Sequence, residues 1–327
     1  MNKPKDITSI GIDVAKAKLD VALMYADNSS VVETFPNSTE GISKCIRKLS
    51  KQKTACAVPC VLESTGLYHV NPALALYQAG YRVYVINPLI TKKYQRSAIR
   101  NAKTDKIDAL RLAEVGLKES NLALFSGDTK AIEVRRLVSF SGKLHGLKQQ
   151  LRASLDSMRA TATITGYTID LISTEKALAD LDDQLCTLEE KIVELAPQEA
   201  RVLAEITPGL SVKNSAMVLG YLAGKNFVSR DQLVAFVGLD VMPRQSGSWT
   251  GAGRVSKRGN AYLRKVLYQI AWGLKQHNAT FKKKYAELRA RGLHYTSVLM
   301  TLARKFLRGL YAFYWQKYPQ FTFDRSL

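Results

Sequence analysis

Five runs of strand-forming residues crowd into the first 86 positions, and the connectors between them change in length halfway along, which restricts the opening domain more than any other feature. Thr8–Asp13 (TSIGID) and Leu19–Tyr25 (LDVALMY) are joined only by AKAK, too short for a crossover, so they predict a hairpin, with Ser30–Phe35 as a third strand. Gly41–Ser50 then has helical spacing, Ala55–Leu62 (ACAVPCVL) reads as a buried strand, Val70–Ala79 as a helix, and Tyr81–Ile86 (YRVYVI) as a last strand before Asn87-Pro88. Hairpin strands first and helix-separated strands after them make a mixed α/β sheet.

That order is the one expected of a sheet of the ribonuclease H kind. From about Thr129 the periodicity becomes helical. Leu137, Phe140, Leu144, Leu147 and Leu151 recur at spacings of three and four, as do Leu178, Leu181, Leu185, Leu188, Ile192 and Leu195. TATITGYT, residues 161–168, interrupts them, which predicts an antiparallel helical hairpin or a pair of coiled-coil arms, closed within one chain or between chains. The last third opens with ITPGLSVKNSAMVLGYL, two helical stretches around a Pro-Gly turn. It is similar to a helix-hairpin-helix, with Ser211 where that motif has its second glycine. QLVAFVGL, a Gly/Ser-rich loop QSGSWTGAGR at 245–254 and helices from Asn260 to Tyr318 complete it. A chain of 327 residues exceeds one small core, and three parts are expected: an α/β domain at 1–125, helical arms at 126–200 and a mainly helical basic domain at 201–327.

Charge narrows the partner. The formal net charge is +20 in a chain that is 46% hydrophobic and therefore able to fold, so disorder does not account for the imbalance and a polyanion is the expected ligand. From Met242 onward there are 17 Lys and Arg against 2 Asp and Glu. Tyr262, Trp272, Tyr295 and Trp315 stand among these bases, but helical spacing makes most of them core residues, and none is assigned to base stacking. Residues 1–10 lack a signal-peptide core and no apolar stretch reaches the roughly 20 residues of a membrane span, so a cytoplasmic, nucleoid-associated protein is expected. Cys45, Cys56, Cys60 and Cys186 show no paired metal spacing, Cys56 and Cys60 falling on the buried strand. His69, His145, His277 and His294 are scattered, which gives zinc sites and Ser-His-Asp triads little support.

The acids carry the chemistry. Asp13 ends the first strand, Glu63 ends the buried strand before the Ser64-Thr65-Gly66 turn, and Asp105 and Asp108 share one face of a following helix. If those strands are adjacent and the helix crosses their ends, four carboxylates converge, and such a cluster stays ionised only with cations. Mg²⁺ takes oxygen ligands and phosphate oxygens, and two ions about 4 Å apart stabilise both oxygens of a phosphodiester displacement. Lys92, Lys93, Arg96, Arg100 and Lys103, just before the helix, suit the phosphate backbone. The plainer reading makes Asp105 a helix N-terminal acid and Asp108 a partner for Lys103 or Arg111.

GIDVAKAKLDV, ESTGLY, YRVYVINP and NAKTDKIDALRLAE, followed by ITPGLS and FVGLDVMPRQSGSWTGAGRVSKRGNAYLR, resemble the DEDD transposases and recombinases of the insertion-sequence family numbered one-ten, which include Piv-type DNA invertases. The resemblance implies a RuvC-like N-terminal domain with Asp13, Glu63, Asp105 and Asp108 as Mg²⁺ ligands, a coiled-coil middle, and a C-terminal transposase domain whose serine attacks DNA. That serine matches Ser246, with Ser248 and Thr250 as nearby rivals, and Arg244, Arg254, Lys257 and Arg258 suit phosphate contacts around it. The resemblance further implies catalytic parts that meet from different protomers of a dimer or tetramer, and a structured bridge RNA in the transposases. Two other readings stand beside this recombinase: a RuvC-like junction nuclease without a covalent serine, and a non-catalytic nucleic-acid-binding scaffold.

Overall fold

The structure, a computed structural model, describes residues 6–52, 55–64, 66–88, 90–91, 105–120, 122–167, 170–246 and 249–317, with the backbone alone over 243–246 and 249–252. Strands β1 (Ile7–Val14), β2 (Lys18–Tyr25), β3 (Ser30–Pro36), β4 (Pro59–Glu63) and β5 (Arg82–Ile86) form one sheet in the order β3-β2-β1-β4-β5. β1, β2 and β3 pair antiparallel, whereas β4 and β5 join β1 in parallel, as the short and long connectors require. The expected mixed α/β sheet is therefore present. Helices α1 (Thr39–Leu49) and α2 (Val70–Gln78) pack on one face, where Ile10, Ile12, Leu62 and Val83 meet Ile42, Cys45, Leu49 and Leu76. Ser38 starts α1 by accepting a hydrogen bond from the Gly41 amide.

The buried strand begins later than its composition predicts. Residues 55–57 form a turn and β4 opens at Pro59, which has no amide proton and is tolerated at the first position of a strand. Cys56 is consequently exposed on the turn rather than on a strand, while Cys60 is buried in β4.

Helix α3 (Asp105–Lys118) covers the opposite face of the sheet at very close range. Gly11 is the reason: a Cβ there would lie 2.1 Å from the Ala109 carbonyl oxygen and 2.3 Å from the Ala113 nitrogen. Two residues earlier on that face, Ser9 is fully buried and donates its hydroxyl to the Ala113 carbonyl at 2.8 Å.

The contacts of the chain divide it into two units, Met1–Gly127 and Asp128–Leu327. The second begins with α4 (Thr129–Thr165), capped by Asp128 and ended by Gly166 in the left-handed conformation at φ 74°. α5 (Ile172–Leu195) returns along it. His145 pairs with Glu189, Lys148 with Asp182 and Arg159 with Glu175, so one partner's number falls as the other rises and the two helices run antiparallel within one chain. Leu178, Leu185 and Ile192 are buried as the α5 spacing predicts. On α4 the buried line is Ala131, Val134, Val138, Ser141 and Leu155, leaving Phe140 and Leu147 more than half exposed. Leu137, Leu144 and Leu151 of the predicted spacing are half-buried, and the small residues of the buried line meet other partners: Val134 and Val138 lie against Gly220, and Ser141 against Tyr262.

The base of this hairpin enters the core of the second unit. Val134, Val138 and Ile192 pack with α7 (Val212–Leu222), α8 (Arg230–Val237), α9 (Ala261–His277) and α11 (Tyr295–Tyr314). α6 (Glu199–Glu205) precedes α7, and α10 (Ala279–Ala290) lies between α9 and α11. Tyr262, Tyr295 and Trp315 pack on this core; Trp272 is 46% exposed. The Pro-Gly turn between α6 and α7 has a packing role. Gly209, at φ 90°, lies against Gly273 of α9, whose carbonyl oxygen a Cβ would approach to 2.6 Å, and Ser211 accepts from the Asn214 amide as the cap of α7. The span read as a Gly/Ser loop is a two-stranded antiparallel hairpin, β6 (Val241–Ser246) and β7 (Trp249–Val255). Among the described residues no helix is long and apolar enough to cross a membrane.

Gly11→Ala is expected to destabilise the chain by about 3 kcal/mol, because backbone of α3 must move. Gly116→Ala meets only the Ser9 hydroxyl and side-chain carbons of Val61 and Pro59, and costs less. Urea unfolding followed by circular dichroism measures both, and equal losses would show that α3 does not depend on the Gly11 contact.

Candidate active site

Strand register builds the site. Asp13 on β1 stands directly opposite Asp20 on β2, and the parallel pairing Ile12↔Leu62, carried one residue on, sets Asp13 beside Glu63 on β4. Adjacent strands lie about 4.8 Å apart and directly paired residues share a face. Gly11 and Ser9 place that face under α3, so Asp20, Asp13 and Glu63 form a row across three strands beneath the helix. The first turn of α3 carries Asp105 and Asp108.

Asp13 registers the whole group. Its carboxyl is pushed up to about 6, first by burial and then by the negative charges of Asp108, Asp105, Glu63 and Asp20. The other acids are turned toward partners of their own. Lys18 Nζ donates to Asp20 Oδ2 at 2.9 Å and to Asp105 Oδ2 at 2.8 Å, hydrogen bonds that push the lysine's pKa upward. Arg111 pairs with Asp108 at 2.8 Å, as the plainer reading anticipated, and Thr91 donates to Glu63 and Thr34 to Asp20. Among the described residues no three Asp, Glu, His or Cys side chains stand close enough to hold one ion. The donor set nevertheless fits a hard divalent cation: its donors are carboxylate oxygens, and the charge crowding on Asp13 is what a cation would relieve.

Asp20 and Lys18 were missed in the sequence. A signal was available, since Asp20 interrupts the apolar run of β2 and is only 1% exposed. Lys92, Lys93, Arg96, Arg100 and Lys103 lie outside the described residues.

In the second unit Ser246 is the last residue of β6, opposite Trp249 across a two-residue connection that contains Ser248. Thr250 pairs with Gln245, Arg244 with Gly251 and Arg254 with Met242. Arg254, Lys257 and Arg258 are exposed. The hairpin's base is fixed by Gly238 and Gly259, where a Cβ on either would come within 2.5 Å of the other's backbone or of Val237 and Phe236. Ser248 and the side chains of Arg244, Ser246 and Thr250 lie outside the described residues.

Residues 10–159 match the DEDD transposases of IS110, described as transposase, and residues 200–286 match the IS116/IS110/IS902 transposase family. The chain belongs to the IS110 family of transposases. This IS110-type chain is 26% identical over 328 residues to the pilin gene-inverting protein of Moraxella bovis, covering 98% of each chain, and equally so to that of Moraxella lacunata. A probable family 20 transposase of Pseudomonas aeruginosa is 26% identical over 80% of this chain and 82% of its own. Among solved structures, T. thermophilus RuvC in complex with Holliday junction substrate aligns with 33% of the IS110-type chain and 90% of its own, at 14% identity and a TM-score of 0.25. As a member of this family, the protein is a DNA-recombination enzyme.

Because Asp13 titrates near 6 in the folded state and near 3.8 otherwise, the folded chain holds an extra proton between those values, and stability falls as pH rises from about 4 to about 6. Asp13→Asn is therefore expected to raise the metal-free melting temperature at pH 7.5 by about 2–4 °C, the effect of roughly 1 kcal/mol after solvent screening, and to change it little at pH 4. Thermal scans in a chelator at both pH values check this; a lower melting temperature at pH 7.5 contradicts the crowding.

Proposed function

We propose that this IS110-type enzyme is a site-specific recombinase that cuts DNA with a RuvC-like, Mg²⁺-dependent DEDD site and holds the cut end on Ser246 as a phosphoserine link. The observation that carries the reading is the row Asp13 and Glu63 on adjacent parallel strands with Asp105 and Asp108 on the helix laid over them. An antiparallel trio followed by two parallel strands supports the ribonuclease H-like assignment.

Asp13, Glu63, Asp105 and Asp108 are the residues that would hold Mg²⁺, one ion or two, which when bound supplies charge to phosphate oxygens. Asp20 and Arg111 hold neighbouring groups in place, Asp20 the Lys18 ammonium and Arg111 the Asp108 carboxylate. The Ser246 hydroxyl loses its proton, its oxygen bonds to phosphorus and the strand's ester oxygen leaves with a proton; resealing reverses these bonds, so no external energy source is needed. Arg244, Arg254, Lys257 and Arg258 around the hairpin, and the bases at 92–103, neutralise phosphates and make binding salt-dependent.

In this reading the chain has three functional parts: the catalytic domain at 1–125, coiled-coil arms at 126–200 and the serine-bearing domain at 201–327. The acids and the serine act together in a dimer or tetramer, and a structured RNA guides the enzyme if it transposes.

Asp13→Asn or Glu63→Gln is expected to lower Mg²⁺-dependent strand cleavage by at least about 100-fold while sparing most DNA binding. Ser246→Ala is expected to lose the detergent-resistant protein–DNA adduct that Ser248→Ala retains. Recombination by the Ser246→Ala chain would falsify the covalent step and leave a hydrolytic junction nuclease. Cleavage unchanged in Asp13→Asn would leave a binding scaffold. A discrete RNA that survives high-salt purification is expected for a guided transposase, and its absence points to an invertase that reads the duplex directly.

A further inference from the structure

A cation already sits in the acid cluster, and it belongs to the chain. Lys18 opens β2 two residues before Asp20 and therefore shares the face beneath α3. Its ammonium lies 2.9 Å from Asp20 and 2.8 Å from Asp105, so one side chain ties the second strand to the first turn of the helix. Asp20 is 1% exposed and has Thr34 as a further donor, so it stays bound within the sheet. Asp105 is the exposed arm of the bridge, with a side chain 57% accessible.

We infer that Lys18 is a positioning residue acting as a tethered cation: in the ion-free enzyme it holds Asp105 against Asp20, and it gives up Asp105 when a divalent ion enters the cluster. This rests on the metal-binding reading of the four acids. Two effects oppose each other. The lysine pre-places Asp105, which favours ion binding, and its unit charge repels a divalent ion, which opposes it. A unit charge about 5 Å from a divalent ion in water-like dielectric weakens binding roughly tenfold. Pre-placement of one exposed carboxylate by a surface ion pair is worth much less. Repulsion therefore dominates, and the lysine sets the ion concentration at which the acids change partners.

Mn²⁺ binding to the full-length protein, followed by the electron paramagnetic resonance of free Mn²⁺, tests this in wild type, Lys18→Met, Lys18→Gln, Lys18→Arg and Asp13→Asn chains. Lys18→Met and Lys18→Gln are expected to bind Mn²⁺ about tenfold more tightly, and Lys18→Arg, which keeps the charge, to match wild type. Without ions, both neutral variants are expected to melt at lower temperature than wild type, and saturating Mn²⁺ closes that gap. Asp13-dependent binding that the neutral variants leave unchanged or weaken overturns the tethered cation and leaves the metal reading standing. A wild-type chain with no Asp13-dependent Mn²⁺ binding removes the metal reading and this proposal together.

Discussion

The contact between Gly11 and the backbone of α3 is the constraint from which the rest of the first unit follows. With no side chain at position 11, the helix lies against β1 at backbone distance, and Ser9 and Gly116 extend that contact along the strand. Asp13 is two residues farther along the same face, so it emerges where the first turn of the helix begins. The proximity of strand acids to helix acids is therefore fixed by main-chain packing, which is stiff, rather than by the rotamers of long side chains. A helix held farther off by a larger residue would weaken the charge coupling between Asp13 and Asp108.

That proximity has an energetic cost which the fold distributes. Burial and four neighbouring charges hold the Asp13 carboxyl near 6. Lys18 takes Asp20 and Asp105, Arg111 takes Asp108, and hydroxyls take one oxygen each of Glu63 and Asp20. Asp13 is the carboxyl on which the uncompensated charge concentrates. A carboxyl whose charge is disfavoured in this way is where a cation would be held most readily.

The parts of this arrangement legible in the sequence were those that depend on chain direction alone. Asp13 and Glu63 stand at the ends of strands, so their meeting follows once the strands are neighbours, and the change from short to long connectors makes the sheet mixed. What stayed hidden depends on cross-strand register. Asp20 becomes a member of the row only because β2 pairs with β1 at Asp13, and no spacing in a single strand announces that. The same limit applies to α4: Phe140 and Leu147 carry the leucine spacing yet stay exposed, while Leu137, Leu144 and Leu151 are half-buried, and how much of the stripe is covered depends on the partner helices. The β6–β7 hairpin looked like a loop because its glycines and serines lack strand propensity, and pairing across the turn supplies what composition does not.

The helical hairpin illustrates how such a choice alters mechanics. α4 has 37 residues and extends about 55 Å. Near its base it is gripped by Val134, Val138 and Ile192 in a dry core, but beyond Ser141 the described buried apolar residues thin to Leu155, Leu178 and Leu185, with Lys148–Asp182 and Arg159–Glu175 between the helices. Mobile ions damp such exposed pairings over about 8–10 Å and leave apolar packing untouched. The projection is thus a beam of graded stiffness, anchored firmly at one end and made more compliant toward its tip as ionic strength rises.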